Sequence, residues 1–433
     1  MKFRSKASGL KSSLEPVALV AMKGTQKDFT DAKKITLDAQ QGSLLASAFG
    51  GNMSIRSEIN NVNNPESQYS NEIEGKVTVH AQELIEALDS MPPSETLIVE
   101  LRSINDSAKE LVFTMGSDEE QFQTISCFPA DVDMPPRYEK EIASAKVNRL
   151  IFADCLKRIG FAFGEEDYFP QYFYWRTKLN KNEIRFIAGT GARFAMTNFT
   201  GDGIVETGKE MAFILHKTIM GVMSDLLNIS NDDLVSIKQV NQPQGDAQRV
   251  LLLMGCHEVC VEMVSSQDAE AWDSVNEKGV IGGDKAATIV FEKSDLDLAV
   301  KGIIATYTED MKKQNQTHVA DAHIDIDKKC LYLKTNTRLK SQRKLSILDG
   351  NYKEGDNVFD FSCASRYLGE FSRNYRSGGR VQMEFIGDQQ PVLLWANAQN
   401  SVSSNSDMVN RNDSTGVEEQ YLMFFLPLSE ASE

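Results

Sequence analysis

A chain of 433 residues is too long for one ordinary hydrophobic core and predicts about three domains of roughly 150 residues each. Its composition, 41% hydrophobic and 25% charged, lets each domain bury a core, and no run of about 18 apolar residues marks a membrane span. A formal net charge of −16 excludes a uniformly basic nucleic-acid binder, but not an acidic exterior with one basic inner surface.

The chain opens MKFRSKASGLKSSLEPVALVA, a strand followed by an amphipathic helix. It has no apolar stretch and cleavage site of a signal peptide. GSLLASAFG then alternates as a meander strand, and the polar loop Asn60–Ser70 is expected to be mobile. From Lys76, KVTVHAQELIEALDSMPPSETLIVEL reads strand, helix, strand. A turn-rich boundary runs from Pro135 to Ala145.

The same order then returns. VNRLIFADCLKRIGFAF is a strand and helix, EIRFIAGTG is a meander strand, and EMAFILHKTIMGVMSDLLNISNDDLVSIK from Glu210 is again strand, helix, strand. A polar linker from Gln267 to Lys285 contains NEKGVIGGDK. A third round follows with ATIVFEKSDLDLAVKGIIATY, CLYLKTNTR and NVFDFSCASRYLGEFSRNYRSGGRVQMEF. Gln399–Thr415 is a second long polar loop expected to be mobile.

Three kinds of element recurring in one order predict an α+β chain of three copies of one unit, over residues 1–138, 146–268 and 286–433. Each unit has two helices packed on antiparallel sheet. Units joined side by side leave an unpaired edge at each end of the chain, a liability that head-to-tail closure with a second copy removes. The expectation is a homodimeric ring of six units with helices lining the hole. The cysteines, Cys127, Cys155, Cys256, Cys260, Cys330 and Cys363, are scattered as in a reduced cytoplasmic protein.

From end to end the chain resembles the bacterial sliding clamp, the DNA polymerase III beta subunit family. The resemblance is carried by the opening MKF, by KVTVHAQELIEAL, and by FQTISCFPADVDMP, which is similar to the close of the family's first domain. IRFIAGTGARFAMTN resembles the strand and turn that usually read ATDGHRLA. FDFSCASRYLGEF, QPVLLW and YLMFFLPLSE resemble the last helix, the strand after it and the C-terminal strand.

The resemblance implies a non-catalytic processivity factor without cofactors. It implies a soluble, nucleoid-associated protein that encircles duplex DNA regardless of sequence, and partners that include DNA polymerase and the clamp loader. These would insert a short peptide with apolar anchors into a groove. Carried over, the groove comprises Tyr172, Gly189, Gly191, Ala192, Arg193, Phe194, Leu215, Ile219, Met220, Pro391, Phe424, Leu426, Pro427 and Leu428. Two buried anchors at roughly 1.5–3 kcal/mol each, less ordering costs, suggest about micromolar affinity. Core packing is the plainer account of Ile219 taken alone. Ala192, Phe194, Leu426 and Leu428 replace the family's histidine, leucine and two methionines, so the preferred peptide is expected to differ.

On the inner helices the candidate phosphate contacts are Lys6, Lys11, Lys157, Arg158, Lys217, Lys293, Lys301, Arg366, Arg373 and Arg376, with Lys23 in the following loop. A solvated helix face accounts equally well for most of them, and the helix HAQELIEALDSM carries three acids and no basic residue. Tyr168 and Phe169 lie near an aromatic DNA-contacting pair of the family, with core packing as the alternative. Phe122 is the candidate for the dimer seam.

CHEVC, with Cys256, His257, Glu258 and Cys260, lacks a second ligand pair at finger spacing. DAHIDID, with Asp321, His323, Asp325 and Asp327, lacks the calcium-loop glycine and terminal glutamate, so a solvated strand face is the better account of it. Metal is therefore not expected. Two readings stand beside the clamp: an adaptor of the same fold that does not encircle DNA, favoured by the acidic helix, and a metal hydrolase built on DAHIDID.

Overall fold

Strand periodicity of two and helix periodicity of 3.6 alternate along the chain, and the computed structural model shows what they build. It describes residues 1–23, 33–51, 53–105, 108–118, 120–128, 140–163, 174–189, 193–229, 233–241, 248–264, 280–281, 284–308, 317–335, 340–353, 357–375, 379–387, 390–397 and 418–425. The order strand, helix, three strands occurs six times.

The first copy is β1 (Lys2–Lys6), α1 (Ala7–Lys23), β2 (Lys34–Gln40), β3 (Ser43–Phe49) and β4 (Met53–Ile59), with a short added strand β5 (Ser70–Ile73). The second is β6 (Gly75–His80), α2 (Ala81–Asp89), β7 (Thr96–Ser103), β8 (Lys109–Met115) and β9 (Phe122–Phe128). The third is β10 (Lys140–Asn148), α3 (Arg149–Ile159), β11 (Tyr174–Asn180), β12 (Glu183–Gly189) and β13 (Arg193–Thr200), followed by the short β14 (Val205–Thr207). The fourth is β15 (Met211–His216), α4 (Lys217–Ile229), β16 (Leu234–Asn241), β17 (Gln248–Met254) and β18 (His257–Glu262). The fifth is β19 (Ala287–Glu292), α5 (Lys293–Ile304), β20 (Val319–Asp325), β21 (Cys330–Thr335) and β22 (Ser341–Tyr352). The sixth is β23 (Val358–Ala364), α6 (Ser365–Asn374), β24 (Arg380–Phe385), β25 (Val392–Asn397) and β26 (Glu418–Phe425). Every strand–helix pair and meander strand expected from the sequence is present.

The chain forms two compact units. One takes Met1–Arg149, Thr207–Met211 and Thr218–Val264; the other takes Leu150–Glu206, Ala212–Lys217 and Ser265–Glu433. No helix among the described residues is long and apolar enough to cross a membrane.

In the first unit the strands run β10-β16-β17-β18-β4-β3-β2-β6-β9-β8-β7-β1-β5. The join between distant parts of the chain is β18 on β4, from His257↔Ser57 to Val261↔Met53. Helix α1 buries Leu10, Leu14, Val17 and Val20, each 1% exposed or less, and packs on β2, β3 and β4. Burial of such side chains stabilises by roughly 1.5–3 kcal/mol each.

The loop Asn60–Ser70 departs from its expected mobility. Asn64 Nδ2 donates to Gly9 O at 3.0 Å and Ser13 Oγ at 2.6 Å, and Ser5 Oγ donates to Ser67 O at 2.7 Å. Gly9 permits this contact, because a Cβ there would overlap the backbone of Glu66 and Ser67. The polar residues that suggested a solvated loop are the ones that tie it to α1. The other expected mobile loop, Gln399–Thr415, lies outside the described residues.

In the second unit the strands run β15-β11-β12-β13-β26-β25-β24-β19-β22-β21-β20-β23. Asn182 turns the β11–β12 hairpin with φ 61°, a conformation that Asn tolerates. The core gathers Leu296, Val300 and Ile303 of α5 with Leu368 and Phe371 of α6 over strands of both flanking copies. At its centre Tyr375 and Tyr421 stack with ring planes 4° apart and centroids 6.0 Å apart.

Candidate protein-binding and DNA-facing surfaces

Strand alternation and register assemble one apolar surface in the second unit. β12 pairs with β13, β13 with β26, and β26 with β25, which sets Ile187, Met196, Leu422 and Trp395 in one row across four strands. The next row in register is Gly189, Phe194, the backbone position of Phe424, and Leu393. Phe194, Ile187, Met196, Leu393 and Leu422 form a buried cluster, and Val280, Ile281, Ile386 and Trp395 pack against it partly exposed. Lys285 holds the 280–281 segment there. Its Nζ donates to Val280 O at 2.8 Å and Ile281 O at 3.0 Å, and it lies 3.6 Å from a Glu384 carboxylate oxygen. The Trp395 indole nitrogen is buried and has no hydrogen-bond partner among the described residues.

The structure therefore unites Gly189 and Phe194 of the expected groove with the backbone position of Phe424. Arg193 goes to the other face of β13, where its Nη2 donates to Phe163 O at 2.6 Å and its Nη1 lies 3.8 Å from Glu370. Leu215, Ile219 and Met220 are buried, at 0%, 2% and 8% exposure. For Ile219 and Met220, on α4 in the first unit, core packing is the arrangement seen. Pro391 is buried just ahead of β25. Tyr172, Gly191, Ala192, Leu426, Pro427 and Leu428 lie outside the described residues, as do Tyr168, Phe169 and Arg376. Val280, Ile281, Leu393 and Trp395 were not anticipated. The alternation of QPVLLW could have pointed to Leu393 and Trp395, whereas VIGG reads as a linker because glycines surround its two apolar residues.

Of the expected DNA-facing cations, Lys23, Lys157, Lys301, Arg366 and Arg373 are exposed, and Lys6, Lys11 and Lys217 are half-buried. Lys11 pairs with Asp89 at 2.6 Å, a bond that raises its pKa, and Lys23 pairs with Asp225 at 2.5 Å. Arg158 and Lys293 need correction. Both are 3% exposed. Arg158 binds Asp154 and lies over the rings of Phe199 and Tyr375, 5.2 and 5.9 Å from their centroids. Lys293 binds both Asp297 oxygens at 2.7 and 2.8 Å and donates to Ser372 O at 3.3 Å. A phosphate cannot reach either without displacing these partners. Phe122, at the start of β9, is 58% exposed, and Leu298 on α5 is 65% exposed.

The acids of DAHIDID are engaged by neighbouring groups. Asp321 accepts from Ser362 at 2.7 Å, Asp360 contacts His323 at 2.7 Å, Asp325 binds Lys328 at 2.7 Å, and Asp327 accepts from Tyr352 and Asn357 at 2.9 and 2.6 Å. Bonding to Lys328 holds the Asp325 carboxyl below its usual range. In CHEVC the strand begins at His257, and Cys256 sits in the preceding turn. Among the described residues no group of three or more His, Cys, Asp or Glu side chains is placed to hold a metal.

By sequence, no family model and no curated protein matches the chain. By structure, it is similar over 99% of its length to a putative DNA polymerase III beta subunit of Eubacterium rectale, with TM-score 0.75, 11% identity and 100% of that chain covered. The DNA polymerase sliding clamps of Bacillus subtilis and Caulobacter crescentus superpose with TM-scores of 0.74 and 0.72. Their identities are 13% and 16%; 99% of this chain is covered in each, with 99% and 100% of the other. The fold is the sliding-clamp fold. The apolar surface around Phe194 and the exposed cations of α5 and α6 thus belong to a chain that shares this fold over 99% of its length rather than over a single domain.

Proposed function

We propose that this chain is a DNA sliding clamp, a non-catalytic processivity factor that encircles duplex DNA as a head-to-tail homodimer. The observation that carries the reading is the end-to-end clamp fold, with all six strand–helix–three-strand copies present. Taken in pairs, the copies support the reading of three domains over 1–138, 146–268 and 286–433, except that β10 begins at Lys140, inside the stretch expected to be a turn-rich boundary. Exposed Phe122, with the liability that any open sheet edge carries, favours closure by a second copy.

Clients, a polymerase and a clamp loader among them, would bind through short apolar peptides at the surface of Phe194, Leu393 and Trp395, completed by the C-terminal Leu426, Pro427 and Leu428. Its partly exposed rim of Val280, Ile281 and Trp395 supports this reading, because a purely structural core has no reason to leave that edge open. Lys23, Lys157, Lys301, Arg366 and Arg373 supply phosphate contacts without base readout, which suits sliding.

The test is retention on DNA. The protein, loaded on a nicked circle, should co-elute with it in gel filtration and be lost when the circle is linearised. A mass in solution of one chain, or equal loss from circular and linear DNA, would overturn the reading in favour of a non-encircling adaptor.

A further inference from the structure

On the face of the first unit's sheet turned away from α1, two cross-strand rows of side chains, all polar but Leu45, lie side by side. One runs Thr78, Thr36, Ser47, Arg56, Glu258, and the other runs Lys76, Asp38, Leu45, Glu58. All of these but Thr78 line a cleft of about 400 Å³ that also takes in the turn of Gly255, Cys256 and His257. A second cavity of about 200 Å³, between α1, α4 and the same turn, also reaches Cys256 and His257. A volume of this size falls within the range of small-molecule sites.

The cleft combines a thiol with charges of both signs. Cations come from Arg56 and Lys76, and carboxylates from Asp38, Glu58 and Glu258, with Arg56 3.8 Å from Glu258. The Cys256 Sγ rests against the His257 ring, 3.6 Å from Nε2 and 3.8 Å from Nδ1, and His257 Nδ1 lies 2.6 Å from the Ser57 hydroxyl. Burial lowers the His257 pKa to about 4, so the ring is neutral at pH 7. Cys155, Cys260, Cys330 and Cys363 are buried, and burial lifts the half-buried Cys127 thiol to about 11. Cys256 alone among the six lines either cavity.

We propose that this cleft binds the disulfide of a small, amino-acid-derived thiol and that Cys256 forms a mixed disulfide with it. Such a molecule carries carboxylates for Arg56 and Lys76, ammonium groups for the three acids, and a sulfur for Cys256. In the step, the Cys256 S–H loses its proton to solvent and the thiolate attacks one sulfur of the bound disulfide. A new S–S bond forms, the old one breaks, and the departing thiolate takes up a proton, with no other oxidant required. The proposal concerns a site apart from the client-binding surface and does not depend on the clamp reading.

Glutathione disulfide is the probe, and the neutral reagent S-methyl methanethiosulfonate is the control. Intact mass and peptide mapping of the full-length, native protein should find one glutathione adduct, on Cys256, and none in Cys256→Ser. The double variant Arg56→Ala, Lys76→Ala should react about tenfold more slowly with glutathione disulfide and about as fast as the parent with the neutral reagent. Absence of an adduct on the parent chain, or an adduct mapped to another cysteine, overturns the proposal without any variant. Equal rate changes with both reagents, or none with either, overturn the recognition by charge.

Discussion

Arg193 and Phe194 are neighbours in the chain and lie on opposite faces of β13. The guanidinium donates to Phe163 O at 2.6 Å inside the second unit, while the phenyl ring joins Leu393 and Leu422 in the apolar cluster. Only Phe194 lies on the face of the proposed client surface. Trp395→Ala, at the partly exposed rim, should weaken binding of a fluorescent client peptide by about 10–100-fold, the worth of a lost apolar anchor of roughly 1.5–3 kcal/mol. Arg193→Ala should lower the melting temperature and leave peptide affinity within about threefold once the protein is folded. Fluorescence anisotropy and a thermal melt on both variants separate the two roles; equal loss of affinity in both would place Arg193 in the site after all.

The dimer seam can be probed at Phe122. A charge in place of a ring that is 58% exposed on one chain costs that chain little, but a buried counterpart in the dimer would lose its apolar contact. Phe122→Asp should raise the dimer dissociation constant by at least about tenfold, with an unchanged circular-dichroism melt of the monomer. Analytical ultracentrifugation across a dilution series reads it directly. An unshifted association constant would remove Phe122 from the seam.

Most of the fold was legible in the sequence, and the reasons it was legible explain what was missed. KVTVHAQELIEAL and FDFSCASRYLGEF show a change of period from two to 3.6 at one residue, and the structure turns from strand to helix there, at Ala81 and Ser365. Periodicity locates a helix but does not say which of its charges find internal partners. Lys293 and Arg158 therefore looked like Lys301 and Arg366, although Asp297 and Asp154 one turn away bury the first two. Val280 and Ile281 were hidden for a different reason. What brings them to the apolar surface is Lys285, through bonds to their own carbonyl oxygens, and a backbone contact leaves no mark in residue type.

The exposed arginines of α6 should carry a measurable part of DNA binding. Arg366 and Arg373 lie on its solvent side, with Arg366 5.4 Å from the Tyr367 ring centroid. If each meets one phosphate, Arg366→Ala with Arg373→Ala should reduce the slope of log affinity against log salt by about 2. Titration of duplex DNA between low and moderate salt measures the slope. An unchanged slope would mean that the helix faces no phosphate.

Packing of the Asn60–Ser70 loop on α1 should be visible in stability. Gly9→Ala places a methyl group against the backbone of Glu66 and Ser67, so one of the two segments has to move. Overpacking of this kind typically costs about 1–3 kcal/mol. Asn64→Ala, which loses the bonds to Gly9 and Ser13, should cost roughly 1 kcal/mol. Denaturant unfolding of the two variants should rank Gly9→Ala as the more damaging, and a Gly9→Ala chain as stable as the parent would show that the loop is loosely held.

Stability should also fall in acid through His257. Its pKa is lowered from 6.5 to about 4 because burial disfavours the charged ring, so the unfolded chain binds the proton more readily than the folded one. The contribution is fully present above the unfolded pKa. It is lost progressively as pH falls from about 6.5 through about 4, where the folded protein must either bury a cation or open. The size is on the order of 3 kcal/mol at most. His257→Gln keeps a polar group near Ser57 and removes the titration, so its unfolding free energy should change less than the parent's between pH 7 and pH 4. Parallel curves for the two proteins over that interval would assign the acid sensitivity to other groups.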